Sequence, residues 1–272
     1  MKNLPTIIIA EIGENHLGDI NLAKKMIVDA AKSRANIVKF QSYRGRDFKV
    51  DDPERDWFTR VELSNESHVE LMEIAEKNKI EFLSSPFSLE RTRFLCEDLG
   101  LRKIKIASGM MLNFPVLDYI NYLKIDTVYL STGMATLNEI NSALEHLEDI
   151  PNKYLMHCVT QYPCKDEEAN LRAILTLQNE FKLPVGYSDH TVGIDACLTA
   201  FILGAEVIEK HFTFDKNCPE GTDHIISMTN VELKELVTKI NKVALLLGDG
   251  VKQPSKGEEE IIEFVRTRFQ NE

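Results

Sequence analysis

The chain has 272 residues, 43% of them hydrophobic, which is enough for a sizeable core. Its formal net charge is −11, from 43 acidic and 32 basic side chains. That balance argues against a general nucleic-acid or anionic-membrane binder, since both need a positive field, but not against a small anionic ligand that needs only a few local cations.

From the N-terminus, Met-Lys-Asn-Leu-Pro leads into a short apolar run that stops at Glu11, so no signal peptide is expected. No apolar stretch approaches the roughly 20 residues that span a bilayer. Short β-branched or apolar runs then alternate with longer amphipathic stretches. The runs are Thr6–Glu11, Ile37–Gln41, Glu81–Ser84, Lys103–Ala107, Thr127–Ser131, Lys153–Cys158, Pro184–Tyr187 and Glu206–Lys210. After the first, Leu22, Met26, Ile27 and Ala30 share one helical face behind a polar start at Asp19. Further helical patterns cover Val69–Lys79, Leu89–Leu99, Leu137–Leu147, Leu171–Phe181, Ile194–Leu203 and Asn230–Leu247. Eight such units predict an α/β fold of the (β/α)₈ TIM-barrel type over residues 1–250. A doubly wound open sheet is the competing fold, but the first turn, Gly13 to Gly18, does not match G-x-G-x-x-G. Residues 251–272 read as a charged tail, with one helix over Glu258–Phe269 and no second domain. The five cysteines are odd in number and none has C-x-x-C spacing, which favours a reducing cytoplasm over disulfides or a zinc ribbon.

Barrel active sites form where strands end and βα loops begin. The predicted strand ends are polar: Glu11 with Asn15 and His16; Lys39 and Gln41; Ser84-Ser85; Lys105 and Ser108; Ser131-Thr132-Gly133; His157, Thr160 and Tyr162; Ser188-Asp189-His190; and Glu209-Lys210-His211. Singly, each has an ordinary explanation, since a lone histidine is more often a hydrogen-bonded structural residue and Ser-Thr-Gly is a common capping turn. A Lys or Glu inside a buried parallel strand, however, costs several kcal/mol unless paired or bound, so Lys39, Lys105 and Glu209 each require a partner. Lysines and hydroxyls around one mouth suit a phosphate or carboxylate. His190 and His211 end consecutive strands, and two neutral imidazoles plus a carboxylate suit Mn²⁺, Fe²⁺, Co²⁺ or Zn²⁺ better than Ca²⁺; the alternative is that both only donate to loops.

With these residues in place, the sequence resembles the sialic acid synthase family, which includes N-acetylneuraminate synthases and their legionaminic and pseudaminic acid relatives. The resemblance rests on Ala10-Glu11-Ile12-Gly13-Glu14-Asn15-His16-Leu17-Gly18, Lys39-Phe40-Gln41, Ser84-Ser85-Pro86-Phe87, Lys105-Ile106-Ala107-Ser108-Gly109, Leu130-Ser131-Thr132-Gly133-Met134, His157-Cys158, Tyr162-Pro163, Gly186-Tyr187-Ser188-Asp189-His190-Thr191 and Glu209-Lys210-His211-Phe212-Thr213. It implies a phosphoenolpyruvate site at Lys39, Gln41, Ser85, Lys105, Ser108, Ser131, Thr160 and Ser188. It implies a divalent cation, Mn²⁺ or Mg²⁺, on His190 and His211. Catalytic roles fall on Glu11, His190 and Asp223, with Glu11, Met110, Tyr162 and Asp223 toward an aldehyde sugar, and the chain is expected to act as a homodimer or higher homo-oligomer.

Two departures lie on the sugar side. Met110 stands where the family has a glutamate, and the family's C-terminal antifreeze-like domain is expected to be lacking; Thr222 also replaces a proline beside Asp223. The expected reaction joins phosphoenolpyruvate to an N-acylaminohexose-like aldehyde, giving a nonulosonic acid and phosphate. The rivals are a related 3-deoxy-ulosonate synthase that uses a phosphorylated aldose, and a non-catalytic partner subunit of a complete synthase.

Overall fold

The computed structural model describes residues 6–221 and 223–269, so Thr222 lies outside the described residues. Eight strands form one parallel sheet: β1 (Ile7–Glu11), β2 (Ile37–Ser42), β3 (Glu81–Pro86), β4 (Lys103–Ile106), β5 (Thr127–Ser131), β6 (Asn152–Cys158), β7 (Val185–Asp189) and β8 (Val207–His211). The hydrogen-bonded order is β3-β2-β1-β8-β7-β6-β5-β4. β3 and β4 lie side by side and bring the sheet round into a barrel, but no backbone ladder joins them among the described residues. The ammonium of Lys103 bridges that seam to Glu81 at 2.9 Å.

The barrel interior is written at a period of two, as strand geometry requires. Ile9, Ile37, Leu83, Tyr129, Met156 and Val207 form a dry apolar floor inside the barrel. Two residues on from several of these, toward the strand C-termini, come Glu11, Lys39, Ser85, Ser131, Cys158 and Glu209. The alternate positions, such as Ile8, Ala10, Val38, Phe40, Ile104, Val128, Leu130 and Ile208, face outward into the larger core beneath the helices. Both faces of each strand are therefore buried, which is why the runs read as nearly unbroken apolar sequence.

The outer helices are α1 (Ile20–Lys32), α2 (Arg55–Val61), α3 (Asn65–Lys77), α4 (Leu89–Arg93), α5 (Phe114–Leu123), α6 (Leu137–Glu145), α7 (Ala173–Phe181), α8 (Asp195–Ile202) and α9 (Asn230–Leu247). Asp19 caps α1 as expected, accepting from Asn21 N–H at 2.8 Å. Two helices were not anticipated. The first, α5, has its signals in Asn113, whose side chain accepts from Val116 N–H, and in Pro115 within its first turn. The second, α2, is a short insertion before α3. The stretch expected as one helix over Leu89–Leu99 is α4 followed by a π-helical turn, Phe94–Asp98. The tail, expected as one helix, forms two short ones, α10 (Lys256–Glu259) and α11 (Ile262–Thr267), neither of which buries a residue. No helix among the described residues is long and apolar enough to cross a membrane, and all five cysteines are free.

Two buried histidines tie the fold to pH. His16 accepts from Gly18 N–H on Nδ1 at 3.0 Å, and the Nδ1 of His68 lies 2.9 Å from the Ser64 carbonyl. Burial pushes both rings down from 6.5 to about 4. Each ring is therefore neutral when folded and takes up a proton more readily when unfolded, so its contribution is lost as pH falls from 6.5 toward 4. Between pH 7 and pH 5 each should cost about 2 kcal/mol of stability. Urea unfolding of the wild type and His68→Phe at both pH values tests this; the variant should lose about 2 kcal/mol less than the wild type between pH 7 and pH 5, and an unaltered difference would remove His68 from the account.

Candidate active site

The strand registers assemble the site at the C-terminal mouth. Glu11 lies in register with Lys39 on β2 and His211 on β8, and Ser188 on β7 lies in register with Glu209. A chain of buried charges results. The ammonium of Lys39 is 2.7 Å from Glu11 Oε2 and 3.8 Å from Glu209 Oε2, and it donates to Ser85 Oγ at 3.2 Å. The ammonium of Lys105 is 2.7 Å from Glu209 Oε1, which also accepts from Ser188 Oγ at 2.8 Å. The partners demanded by Lys39, Lys105 and Glu209 are thus one another and Glu11. Burial opposes charge on Glu209, but Lys105 and Lys39 outweigh it and hold the carboxyl near 2; Glu11 and Glu209 likewise outweigh burial at Lys39 and raise its ammonium.

Above the charges lies a cavity of about 230 Å³. It brings together every residue expected at the anion site: Lys39, Gln41, Ser85, Lys105, Ser108, Ser131, Thr160 and Ser188. Glu11, Tyr162, His190 and His211 also line it. Lys105 gives one of its three N–H donors to Glu209, which leaves two for ligand oxygens. Gly133 closes one wall by donating its N–H to Ser108 Oγ at 3.1 Å. A Cβ there would stand 2.2 Å from Thr160 Oγ1 and 2.6 Å from Ser108 Oγ, so close backbone approach requires glycine.

The two histidines stand at the edge of this cavity with ring centroids 5.7 Å apart, and Tyr162 lies 4.1 Å from His190. The Nδ1 of His190 is 2.6 Å from the Val159 carbonyl, which assigns the proton to Nδ1 and leaves Nε2 a lone pair. Burial, and then His211, pull its pKa down to about 4, so the ring is neutral at pH 7. The Nδ1 of His211 is 3.4 Å from an Asp223 carboxylate oxygen. Among the described residues no three His, Cys, Asp or Glu side chains form a ready metal cage. Just outside the barrel, Asp189 and Lys210 make a fully buried pair at 2.7 Å; Lys210 also donates to the Thr191 carbonyl at 2.8 Å. This pair ties together the two strand ends that carry the histidines.

A second cavity, about 370 Å³, adjoins the first and shares Gln41, Tyr162 and His211 with it. Its other walls include Glu14, Asn15, Glu54, Trp57, Phe58 and Asp223. Asp223 and Tyr162 thus line the same cavity. Met110 does not: the turn after β4 directs it into the core at 8% exposure, and it lines neither cavity. A carboxylate at that position would be buried among apolar side chains. Sequence reading missed Glu14 and the α2 wall. Glu14 is pushed up to about 8, chiefly by burial and then by Asp223 and Glu11; its signal was a second glutamate in Glu11-Ile12-Gly13-Glu14. Trp57 and Phe58 gave no periodic signal.

Two adjoining cavities at the C-terminal mouth of a parallel barrel, one lined by ammoniums and hydroxyls and the other by carboxyl groups and aromatics, sit where (β/α)₈ enzymes carry their active sites. A family model described as the NeuB family matches residues 26–252. The N,N'-diacetyllegionaminic acid synthase of Campylobacter jejuni is 45% identical over 96% of this chain and 83% of its own length. The human N-acetylneuraminate-9-phosphate synthase is 34% identical over 92% of this chain and 73% of its own. The crystal structure of an N-acetylneuraminic acid synthetase from Leptospira borgpetersenii, solved with citrate, superposes with a TM-score of 0.89 at 36% identity, covering 98% of this chain and 93% of that one. The chain belongs to the NeuB family. It is an enzyme of the carbon–carbon bond-forming class that contains the sialic, legionaminic and pseudaminic acid synthases, whose general reaction is a phosphoenolpyruvate-dependent condensation.

Gly133→Ala tests the inner wall. Overpacking of this kind costs about 1–3 kcal/mol, so KM for whichever substrate the inner cavity holds should rise about tenfold or more while KM for the other holds. Unchanged kinetics would mean that the wall yields freely.

Proposed function

We propose that the inner cavity binds phosphoenolpyruvate and the outer cavity an N-acylaminohexose-type aldehyde, which condense to a nonulosonic acid and phosphate. The carrying observation is the pairing of a cavity of buried ammoniums and hydroxyls with a second cavity, the two meeting at Gln41, Tyr162 and His211. In this reading the ammoniums of Lys39 and Lys105 and the hydroxyls of Ser85, Ser108, Ser131, Thr160 and Ser188 hold the anionic groups of phosphoenolpyruvate. Its C3 attacks the aldehyde carbon at the junction of the cavities, where both reactants are held at near-attack distance. Water adds at C2 and phosphate leaves with C–O cleavage. Glu11, close to Lys39 and Gln41, orients and deprotonates that water, and the lysines stabilise the departing phosphate.

The neutral His190 ring, with its outer nitrogen set by the Val159 carbonyl, fits a divalent cation, Mn²⁺ or Mg²⁺, shared with His211. Such a cation supplies Lewis-acid polarisation of the aldehyde oxygen. Asp223, beside His211, orients that ring. Five free cysteines fit a reducing cytoplasm.

Phosphate release and product mass with phosphoenolpyruvate, Mn²⁺ and a panel of N-acylaminohexoses test the reaction; no release with any acceptor would sink it. His190→Ala or His211→Ala should lower Mn²⁺ affinity by about tenfold or more in direct titration while the fold survives. Lys105→Met should raise KM for phosphoenolpyruvate about ten- to a hundredfold, the loss of a charge-assisted contact. Since that change also strips Glu209 of its nearest cation, Lys105→Met/Glu209→Gln should recover stability without recovering affinity. A raised KM for the sugar instead would reverse the two cavities.

A further inference from the structure

The outer cavity carries more information than its position. Of its lining residues, Glu14, Glu54 and Asp223 carry carboxyl groups, and none is Lys or Arg. The arginines in and beside α2 have partners outside the cavity lining. Arg60 stacks over the Trp57 ring at 4.7 Å and pairs with Glu220 at 3.3 Å. Arg55 turns its Nε to the Gly45 carbonyl at 3.4 Å, and Arg44 donates to Asn65 at 2.8 Å. A phosphate on the acceptor would thus meet carboxylates and an indole with no lining cation to receive it. Arg and Lys are the side chains that receive such groups.

The apolar part of this wall is built to stand still. Phe58 stacks on Phe48 at 4.4 Å and meets Tyr43 edge-on at 5.4 Å, which anchors α2 over the mouth. Trp57 is braced from the β8 side by Gly221, where an added Cβ would lie 3.3 Å from the indole and the backbone has φ +82°. The half-buried indole therefore presents a fixed apolar surface at the outer cavity.

We propose that this wall selects an unphosphorylated acceptor, with Trp57 lying against the sugar's end remote from the aldehyde and Glu54 and Asp223 turning away an anionic one. The proposal rests on the outer cavity being the acceptor site of the condensation. Its specificity element is Trp57 with Glu54, both in the α2 segment, and neither touches the reacting atoms. An acceptor with a deoxy carbon at that end should bind about fourfold more tightly than one with a hydroxyl, the worth of about one buried methylene against the ring. A 6-phosphate should bind roughly tenfold more weakly or worse, because a like charge is brought within several ångströms of a carboxylate.

Trp57 is the single tryptophan in the sequence, so intrinsic fluorescence reads this wall directly. The protein is titrated with N-acetylmannosamine, its 6-deoxy analogue and its 6-phosphate, each with Mn²⁺ present. The expected result is a saturable change with the first two, an affinity order of deoxy, hydroxyl and then phosphate, and a narrowed gap in Glu54→Gln with KM for phosphoenolpyruvate unchanged. A 6-phosphate that binds as tightly as the parent sugar, or no response of Trp57 to any of the three, overturns the proposal. Phosphate release is read separately on the same solutions. An acceptor that saturates the fluorescence and yields no phosphate counts against the condensation and leaves the selectivity standing, whereas tight binding and turnover of the 6-phosphate count against the selectivity alone.

Discussion

The four-charge chain Glu11–Lys39–Glu209–Lys105 is the constraint on which the mouth of this barrel depends. It crosses the interior from β1 to β4 by way of β2 and β8, and every member is at least nine-tenths buried. Removing one member would leave an uncompensated buried charge, a cost of about 3–5 kcal/mol, whereas the intact set gains from hydroxyls of Ser85 and Ser188 that complete its hydrogen bonding. The set also divides the interior in two. Below it Ile9, Leu83, Met156 and Val207 keep the barrel dry, and above it a ligand meets ammoniums already held in place. Preorganisation of this kind spares the reorganisation that water or loose side chains would require at the moment of reaction.

The histidines are held by different means. His190 and His211 follow Asp189 and Lys210 directly, and those two pair on the outward face of the same strands. Asp189 also accepts from Thr191 N–H at 2.8 Å and Tyr187 Oη at 3.0 Å, so the turn after β7 has little freedom. One strand end thus points a charged residue outward as a rivet and the next residue toward the ligand. Alternation of side chains, the same rule that builds the floor, places structural and chemical duties on neighbouring residues.

Most of the barrel was legible because parallel strands buried on both faces are apolar throughout, and any interruption stands out. Lys39, Lys105 and Glu209 were conspicuous for that reason, and the inner cavity collects all eight residues marked for it. Strand ends were less legible. β3, β7 and β8 run on through Ser85-Pro86, Ser188-Asp189 and His211, because polar side chains at the mouth do not disturb the ladder. The α2 side of the outer cavity was not legible at all. α2 has seven residues, too few to show a helical period, and Trp57 acquires its place through residues such as Tyr43, Gly45, Phe48 and Gly221, which contact it or its helix from elsewhere in the chain. Met110 shows the converse: a motif position marked it for the sugar, but a single turn, Ser108–Met110, decides where its side chain goes.

The seam between β3 and β4 differs from the other seven. Where each of those is stitched by backbone ladders, here the two strands touch and the Lys103–Glu81 bridge spans the bottom. The barrel is therefore mechanically a rolled sheet with one butt joint. Ser85 and Lys105, which both line the inner cavity, sit on the two lips of that joint. Ser85 and Lys105 are therefore held relative to each other by side chains and packing, whereas Glu11 and the histidines sit on strands joined by ladders, so the width of the inner cavity depends on the one stretch of wall that has no ladder among the described residues.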